Sequence, residues 1–279
     1  MHHCPSCSSQ SLKDVLWGTT ALKQCLNCSL FFLRDMPHYD DTIDYYASSY
    51  VLQNNITTTN YHYERRRIAR LPEQIFLLSK LISLLPPRVA MIDIGCDRGF
   101  FLDEARRFGY KVLGIEPSIS AREACNTIGI PVLPSLDEVK GQFDCVVMWH
   151  SLEHFPEPAK TIRQINGLIS KGGILAVRVP DFGSFWSRLL RHRWKWFQPH
   201  QHYVHYNVAS LEYLLKHHGY EIISLKSRRA NTLTTMRSQS AANRLFAKNL
   251  GIKASLFDYA SQWYHYIASI ELFCIAKKI

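Results

Sequence analysis

Between Val89 and Lys278, short runs that are almost wholly apolar alternate with longer stretches whose apolar positions recur every three or four residues. The short runs read as strands and the longer stretches as helices. The predicted strands are "VAMIDIG" (Val89–Gly95), "YKVLGIEP" (Tyr110–Pro117), "IPVL" (Ile130–Leu133), a fourth that runs into a loop within "FDCVVMWHSLEHF" (Phe143–Phe155), and "ILAVRVP" (Ile174–Pro180). The predicted helices between them are "GFFLDEARRFG", "SISAREACNTIG" and "PAKTIRQINGLIS", the last closed by Lys171-Gly172-Gly173. Strands this uniformly apolar need cover on both faces, so the sheet is expected to be mostly parallel and doubly wound, an α/β class fold. A helix "VASLEYLLKHHG", a strand "YEIISLKS", a polar helical insertion at about 230–268 and a last strand "SIELFCIAKK" complete the chain. The final two strands suit an edge hairpin with one strand antiparallel.

Upstream, Glu64 to Leu85 carries helical spacing and stops at Pro86-Pro87. Residues 34–63 are rich in Tyr, Asp, Asn and Thr and poor in aliphatics, which marks a connector between modules. The expected organisation is a small front module at 1–33, the connector at 34–63 and the α/β domain at 64–279.

The front module is defined by Cys4-Pro5-Ser6-Cys7 and Cys25-Leu26-Asn27-Cys28, two CxxC pairs separated by the 17 residues Ser8 to Gln24. Two thiolates at that spacing clasp one side of a tetrahedral ion and the second pair closes the other, so Cys4, Cys7, Cys25 and Cys28 are read as ligands of a structural Zn²⁺. The segment between them alternates polar and apolar residues around Gly18-Thr19-Thr20, as a hairpin would, giving a zinc ribbon. About thirty residues with so few large apolar groups depend on the ion for a core. Cys96, Cys125, Cys145 and Cys274 stand alone in apolar or helical settings and are expected as buried small hydrophobes.

Lysine and arginine outnumber the acids 33 to 23, but the excess is scattered in short groups such as "ERRR" and "RLLRHRWKW". Charge of this kind welcomes an anionic substrate without defining a nucleic-acid binder. The N-terminus lacks an apolar signal-peptide core, and the greasiest segment, Ile75–Leu85, is too short to cross a bilayer. A soluble, cytoplasmic protein with at most peripheral membrane contact is expected.

The turn Gly95-Cys96-Asp97-Arg98-Gly99 follows the first predicted strand and opens a helix, the place where open α/β sheets bind ligands. A dinucleotide would call for GxGxxG and bare amides around a pyrophosphate. Here the spacing is GxxxG, and the carboxylate of Asp97 would repel phosphate. A cofactor that is cationic and carries no phosphate meets neither objection. S-adenosylmethionine is such a molecule. Asp93 would then order the loop or help hold its ammonium group, and Glu116, at the end of the second strand, would reach the ribose hydroxyls. Aspartate also tolerates the left-handed backbone that such a turn can demand.

The segments "IDIGCDRGFFL", "VLGIEPS", "FDCVVMWHSLEHFPEPAKTIRQINGLISKGGILAVRVPDF" and "HQHYVHYNVASLEYLLKHHGYEI", in that order, resemble class I S-adenosylmethionine-dependent methyltransferases. The "SLEHFPEP" loop resembles the branch that includes ubiquinone-type O-methyltransferases and many sugar methyltransferases. The cysteine pairs resemble the zinc-binding front module of sugar C-methyltransferases. The resemblance covers roughly Arg65 to Lys278 in blocks, and Asp97 departs from the glycine usual in that family. It implies a Rossmann-like fold in which Asp93, Gly95, Cys96, Asp97 and Gly99 line the methionine end of the cofactor. Glu116 and Pro117 would face the ribose, Ser135 and Leu136 the adenine, and Trp149 and His150 the methyl group.

Methyl transfer to a hydroxyl needs alignment and a base. His150 is the first candidate and His154 the second, with Glu153 to orient an imidazole or assist a divalent ion. The alternating His200, His202 and His205 are expected to shape the acceptor pocket. The expected acceptor is a small hydroxylated metabolite such as a sugar, sugar nucleotide or polysaccharide precursor. An RNA methyltransferase is disfavoured because base-amino enzymes carry an Asn/Asp-Pro-Pro-aromatic tetrad where this chain has "WHSLEHF". A non-catalytic scaffold built on the same domain is the other alternative, and cofactor binding separates it from an enzyme.

Overall fold

The computed structural model describes residues 2–37, 60–86, 88–229 and 270–279. The expected insertion at about 230–268 and most of the 34–63 connector lie outside the described residues.

Three strands form the front module: β1 (Leu12–Trp17), β2 (Thr20–Cys25) and β3 (Phe31–Leu33). The α/β domain follows, beginning with helix α1 (Asn60–Ile82) and then β4 (Ala90–Ile94), α2 (Phe100–Arg107), β5 (Lys111–Ile115), α3 (Ile119–Thr127) and β6 (Val132–Leu133). Next come β7 (Phe143–Trp149), α4 (Pro158–Leu168), β8 (Ile169–Pro180), α5 (Phe185–Leu190) and β9 (Val204–His205). Helix α6 (Val208–His217) and strands β10 (Tyr220–Arg229) and β11 (Ile270–Lys278) close the chain.

Seven strands make the main sheet in the order β10-β11-β8-β7-β4-β5-β6. The pairs β4/β5, β5/β6, β4/β7 and β7/β8 are parallel, and β11 runs antiparallel to both β8 and β10. The expected hairpin therefore sits at one edge, with β11 inserted between β10 and the parallel strands. Successive residues of a strand face opposite ways. Ile92, Val146, Met148, Leu175 and Val177 accordingly pack on one face with Ile162 and Ile165 of α4 and Leu211, Leu214 and Leu215 of α6. Met91, Cys145, Val147 and Ala176 pack on the other with Leu77, Leu78 and Leu81 of α1 and Phe101, Leu102 and Ala105 of α2. Each fully buried leucine contributes about 1.5–3 kcal/mol, so the two apolar faces of the sheet fix the layer order. The four isolated cysteines are buried, as expected.

Two boundaries differ from the sequence reading. Helix α1 runs over Asn60–Ile82 with Pro72 inside it, and α4 ends at Leu168, so Lys171-Gly172-Gly173 lies within β8. Gly172 has φ 77° and the β7/β8 register shifts between Phe143 and Cys145, so the glycines bend a strand here instead of stopping a helix.

The front module is also less separate than its position in the chain implies. Its sheet has four strands, β1-β2-β3-β9, and the fourth comes from the α/β domain. Phe31 and Phe32 pair with His205 and Val204, and Leu33 N donates to Tyr203 O at 2.9 Å. Asn207 caps α6 in a reciprocal box with Ser210, and its Nδ2 also donates to Ser29 O at 2.8 Å. Cys4, Cys25, Cys28, Leu30 and Phe32 thus continue the core beneath β8 and α6. No described helix is long and apolar enough to cross a membrane.

Candidate active site

Sheet order reverses beside β4, whose neighbours are β5 on one side and β7 on the other, so the loops after these strands splay apart and leave a crevice. The turn after β4 forms its floor. Gly95 has φ 80°, and a Cβ there would fall 2.7 Å from Ser151 Cβ, so only glycine fits. Asp97 has φ 48°, the left-handed conformation its residue type tolerates.

Three carboxylates meet at this turn. Asp93 is buried, and its Oδ1 has no hydrogen-bond partner among the described residues. Glu116 accepts from Asp97 N at 3.0 Å and Ser118 N at 2.9 Å, which ties the β4 and β5 loops together. Asp97 lies 3.6 Å from the half-exposed guanidinium of Arg70. Burial holds Asp93 well above the usual carboxylate range, and repulsion from Glu116 and Asp97 adds to it. Burial likewise pushes Glu116 up to about 7. An acid cluster of this kind suits a cation and penalises a phosphate.

The crevice encloses about 530 Å³ and gathers most of the expected positions. Asp93, Gly95, Cys96, Asp97, Glu116, Pro117, Ser135, Leu136, Trp149, His150 and His154 all line it. Gly99 does not: it starts α2 at φ 72°, with its Cα facing Cys125 and Ile130. Glu153 sits behind the wall, 1% exposed, on the short turn Leu152–His154.

At the far end of the crevice, His150 is held between two acids. Its Nε2 lies 3.2 Å from Glu271 Oε2 in a hydrogen bond, and its Nδ1 is 3.4 Å from Glu153 Oε1, an ion-pair distance without hydrogen-bond alignment. Glu271 also pairs with Arg178 Nε at 2.8 Å, and Arg178 Nη2 reaches Glu73 at 2.5 Å. Burial and Arg178 lower the His150 pKa, but the two glutamates outweigh them and hold it above the ordinary histidine value. Burial opposes ionisation of Glu153, yet His150, His154 and His202 bring it down to about 2. Burial lowers His154, and it lowers His202 to about 4. Trp196 stacks on His150 with ring centroids 4.7 Å apart.

Arg70, Glu73, Arg178, Trp196, Gln198, Gln201 and His202 line the crevice without having been singled out for it, apart from His202. Of the alternating histidines, only His202 reaches the crevice. His205 is buried in β9, stacked on Phe182 at 4.7 Å, and His200 is not among the lining residues. Glu271, on the last strand, carried no sequence signal beyond being an acid in an apolar run.

In the front module the four cysteine sulfurs lie within 4.8 Å of one another, and the pairs Cys4/Cys28 and Cys7/Cys25 are each 3.5 Å apart. That is far beyond the roughly 2.05 Å of a disulfide. It is close to the about 3.8 Å that tetrahedral thiolates adopt around an ion 2.3 Å away. The donor set fits Zn²⁺.

Residues 61–225, more than half of the chain, match the model of the family described as "Methyltransferase domain". Among curated proteins, the ubiquinone biosynthesis O-methyltransferase of Acinetobacter baumannii (strain ACICU) is 30% identical over 30% of this chain and 40% of its own length. The corresponding enzyme of Pseudomonas aeruginosa (strain LESB58) is 33% identical over the same shares. The chain therefore spans about 40% of the length of these curated relatives. Among solved structures, the magnesium protoporphyrin IX methyltransferase of Synechocystis PCC 6803 with bound SAH superposes with a TM-score of 0.56 at 13% identity, covering 87% of this chain and 100% of that one. A cyclopropane synthase of Mycobacterium tuberculosis gives 0.54 at 15% identity, covering 72% and 84%. These structures share the fold, and with the family match they place the chain: it belongs to the class I S-adenosylmethionine-dependent methyltransferases.

Proposed function

We propose that this protein transfers a methyl group from S-adenosylmethionine to a hydroxyl of a small acceptor, a sugar, sugar nucleotide or polysaccharide precursor, in the cytoplasm. The observation that carries this reading is the polarity of the crevice. One end is a cluster of three acids without room for phosphate charge, and the other is a histidine–carboxylate array suited to hydroxyl groups. The ubiquinone enzymes named above are O-methyltransferases, which supports oxygen as the atom methylated.

Asp93, Gly95, Cys96 and Asp97 would hold the methionine end, Glu116 and Pro117 the ribose, and Ser135 and Leu136 the adenine. Asp93 Oδ1, buried and without a partner among the described residues, supports the fit. When bound, the cofactor supplies an electrophilic methyl carbon on a sulfonium, and the C–S electron pair leaves on sulfur. The chain's own work is to remove water, position the acceptor oxygen and take its proton.

His150 is the base in this scheme. Glu271 accepts from Nε2 and holds the ring, and Nδ1, buried 3.4 Å from Glu153, takes the acceptor's proton once the acceptor displaces that contact. Glu153, beside Nδ1, stabilises the resulting imidazolium, and His154 borders the acceptor. Cys4, Cys7, Cys25 and Cys28 would hold a structural Zn²⁺. The charge of the front module and the "WHSLEHF" loop give no support to a nucleic-acid substrate.

Calorimetry tests the reading: S-adenosylmethionine should bind and NAD should not. No binding at millimolar cofactor would leave a scaffold. Incubation with labelled cofactor and a panel of hydroxylated acceptors, followed by mass spectrometry, then identifies the product.

A further inference from the structure

We propose that Glu73 and Arg178 are positioning residues for His150: a chain of contacts from α1 through β8 to β11 holds the imidazole, so the base is complete only when α1 is seated on the sheet. The role rests on the methyl-transfer reading, in which His150 takes the acceptor's proton.

Sheet register sets one half of the chain. Arg178 of β8 stands opposite Trp149 of β7 and Phe273 of β11, and Glu271 lies two residues before Phe273. Successive residues of a strand alternate faces, so Arg178, Glu271 and Phe273 share the face that packs against α1. One oxygen, Glu271 Oε2, faces both Arg178 Nε at 2.8 Å and His150 Nε2 at 3.2 Å. Whatever moves the guanidinium therefore moves the partner of the imidazole.

The other half comes from α1. Glu73 Oε1 lies 2.5 Å from Arg178 Nη2, so the guanidinium spreads its donors between carboxylates on two different elements. Arg70, one helical turn earlier, lies 3.6 Å from Asp97. A single turn of α1 thus touches the cofactor end of the crevice and the base together. Docking α1 does not itself call for this charge, because Leu77, Leu78 and Leu81 already bury against the sheet. A buried ion network is often no more stabilising than apolar packing of the same volume. What the network adds is a guanidinium fixed beside the acid that holds His150.

Charge passes along the same chain. Arg178 opposes an imidazolium at His150, whereas Glu153 and Glu271 favour it. Glu73 offsets Arg178. Around these groups stand His154 on the same turn as His150, and His202 from the loop before β9, both facing Glu153. Lys195 from that loop and Arg228 from β10 face Glu271. Removing the Glu73 charge leaves Arg178 less opposed and disfavours the imidazolium. Removing the Arg178 charge does the reverse.

The test is an NMR titration of the His150 imidazole in the full chain, with neither cofactor nor acceptor present. Glu73→Gln should move the midpoint to lower pH, and Glu73→Asp, which keeps the charge, should bring it back toward wild type. Arg178→Gln should move it to higher pH. Should urea unfolding show that this variant does not fold, the double variant Glu73→Gln/Arg178→Gln leaves no unpaired charge between the two and should titrate closer to wild type than Glu73→Gln alone. An unmoved midpoint in Glu73→Gln overturns the proposal. So does an equal displacement in Glu73→Gln and Glu73→Asp, since packing alone would then account for Glu73. With a working acceptor, Glu73→Gln should lower kcat about three- to tenfold, change KM less than about twofold and carry the acid limb of the rate profile to lower pH. A midpoint that moves while the acid limb stays put would refute His150 as the base and leave the contact chain standing.

Discussion

His150 and Glu271 are 121 residues apart in sequence, yet His150 Nε2 and Glu271 Oε2 lie 3.2 Å apart across the β7 and β11 ends of the sheet. This contact, with Glu153 3.4 Å from Nδ1, fixes the plane of the imidazole between two carboxylates. Glu271→Gln should lower the His150 pKa and cut methyl transfer by at least about tenfold. Because Glu153 and Glu271 hold the His150 pKa above its usual value, the base works only above that raised pKa, and the acid limb of the rate profile should shift to lower pH in the variant. The same interaction stabilises the fold most below the unfolded histidine pKa, and its contribution is lost as pH rises through the raised folded value. NMR titration of the imidazole measures the shift without any acceptor.

Glu116→Ala should weaken S-adenosylmethionine binding by more than about tenfold. It removes the ribose-facing carboxylate and strands the Asp97 and Ser118 amides that it accepts from. In wild type, affinity should fall as pH drops below about 7, where Glu116 protonates. Calorimetry across pH checks both points, and unchanged affinity in the variant would relocate the ribose.

Asn207→Ala should cost about 1–2 kcal/mol, because it loses both the α6 cap and the bond to Ser29. Asn207→Ser, which can still cap, should lose less. Urea unfolding midpoints resolve the two.

Cys28→Ser should reduce bound zinc and loosen the loop at 198–207 while leaving cofactor affinity within about threefold. The reason is geometric: β3 pairs with β9, whereas the three-acid turn lies on β4 and β5. Amide exchange should rise in β9 and its flanks. Protection there equal to wild type would mean that the metal does not brace the loop.

Much of this was readable from the chain. The apolar runs that became β4, β7 and β8 are buried on both faces, so their pattern was unambiguous. The Gly95–Gly99 turn and Glu116 were legible because backbone geometry and charge restrict what can stand there. Helix α4 was drawn too long because glycines that bend a strand look the same in sequence as glycines that end a helix. Glu271, Arg178 and Glu73 were missed for a different reason: each sits alone on its own element, and only the strand order β11-β8-β7 brings the first two beside His150. His205, read as a pocket residue from its alternation, was claimed by β9 pairing and by Phe182.

Because β9 supplies the fourth strand of the front sheet, the cysteine module cannot be transplanted between enzymes as a cassette. Cutting at residue 33 would bare the edge of β9 and the apolar surface under Phe32 and Val204, inviting aggregation in place of a trimmed catalyst. A chimera designed to borrow another enzyme's acceptor preference would have to exchange both ends of that seam together.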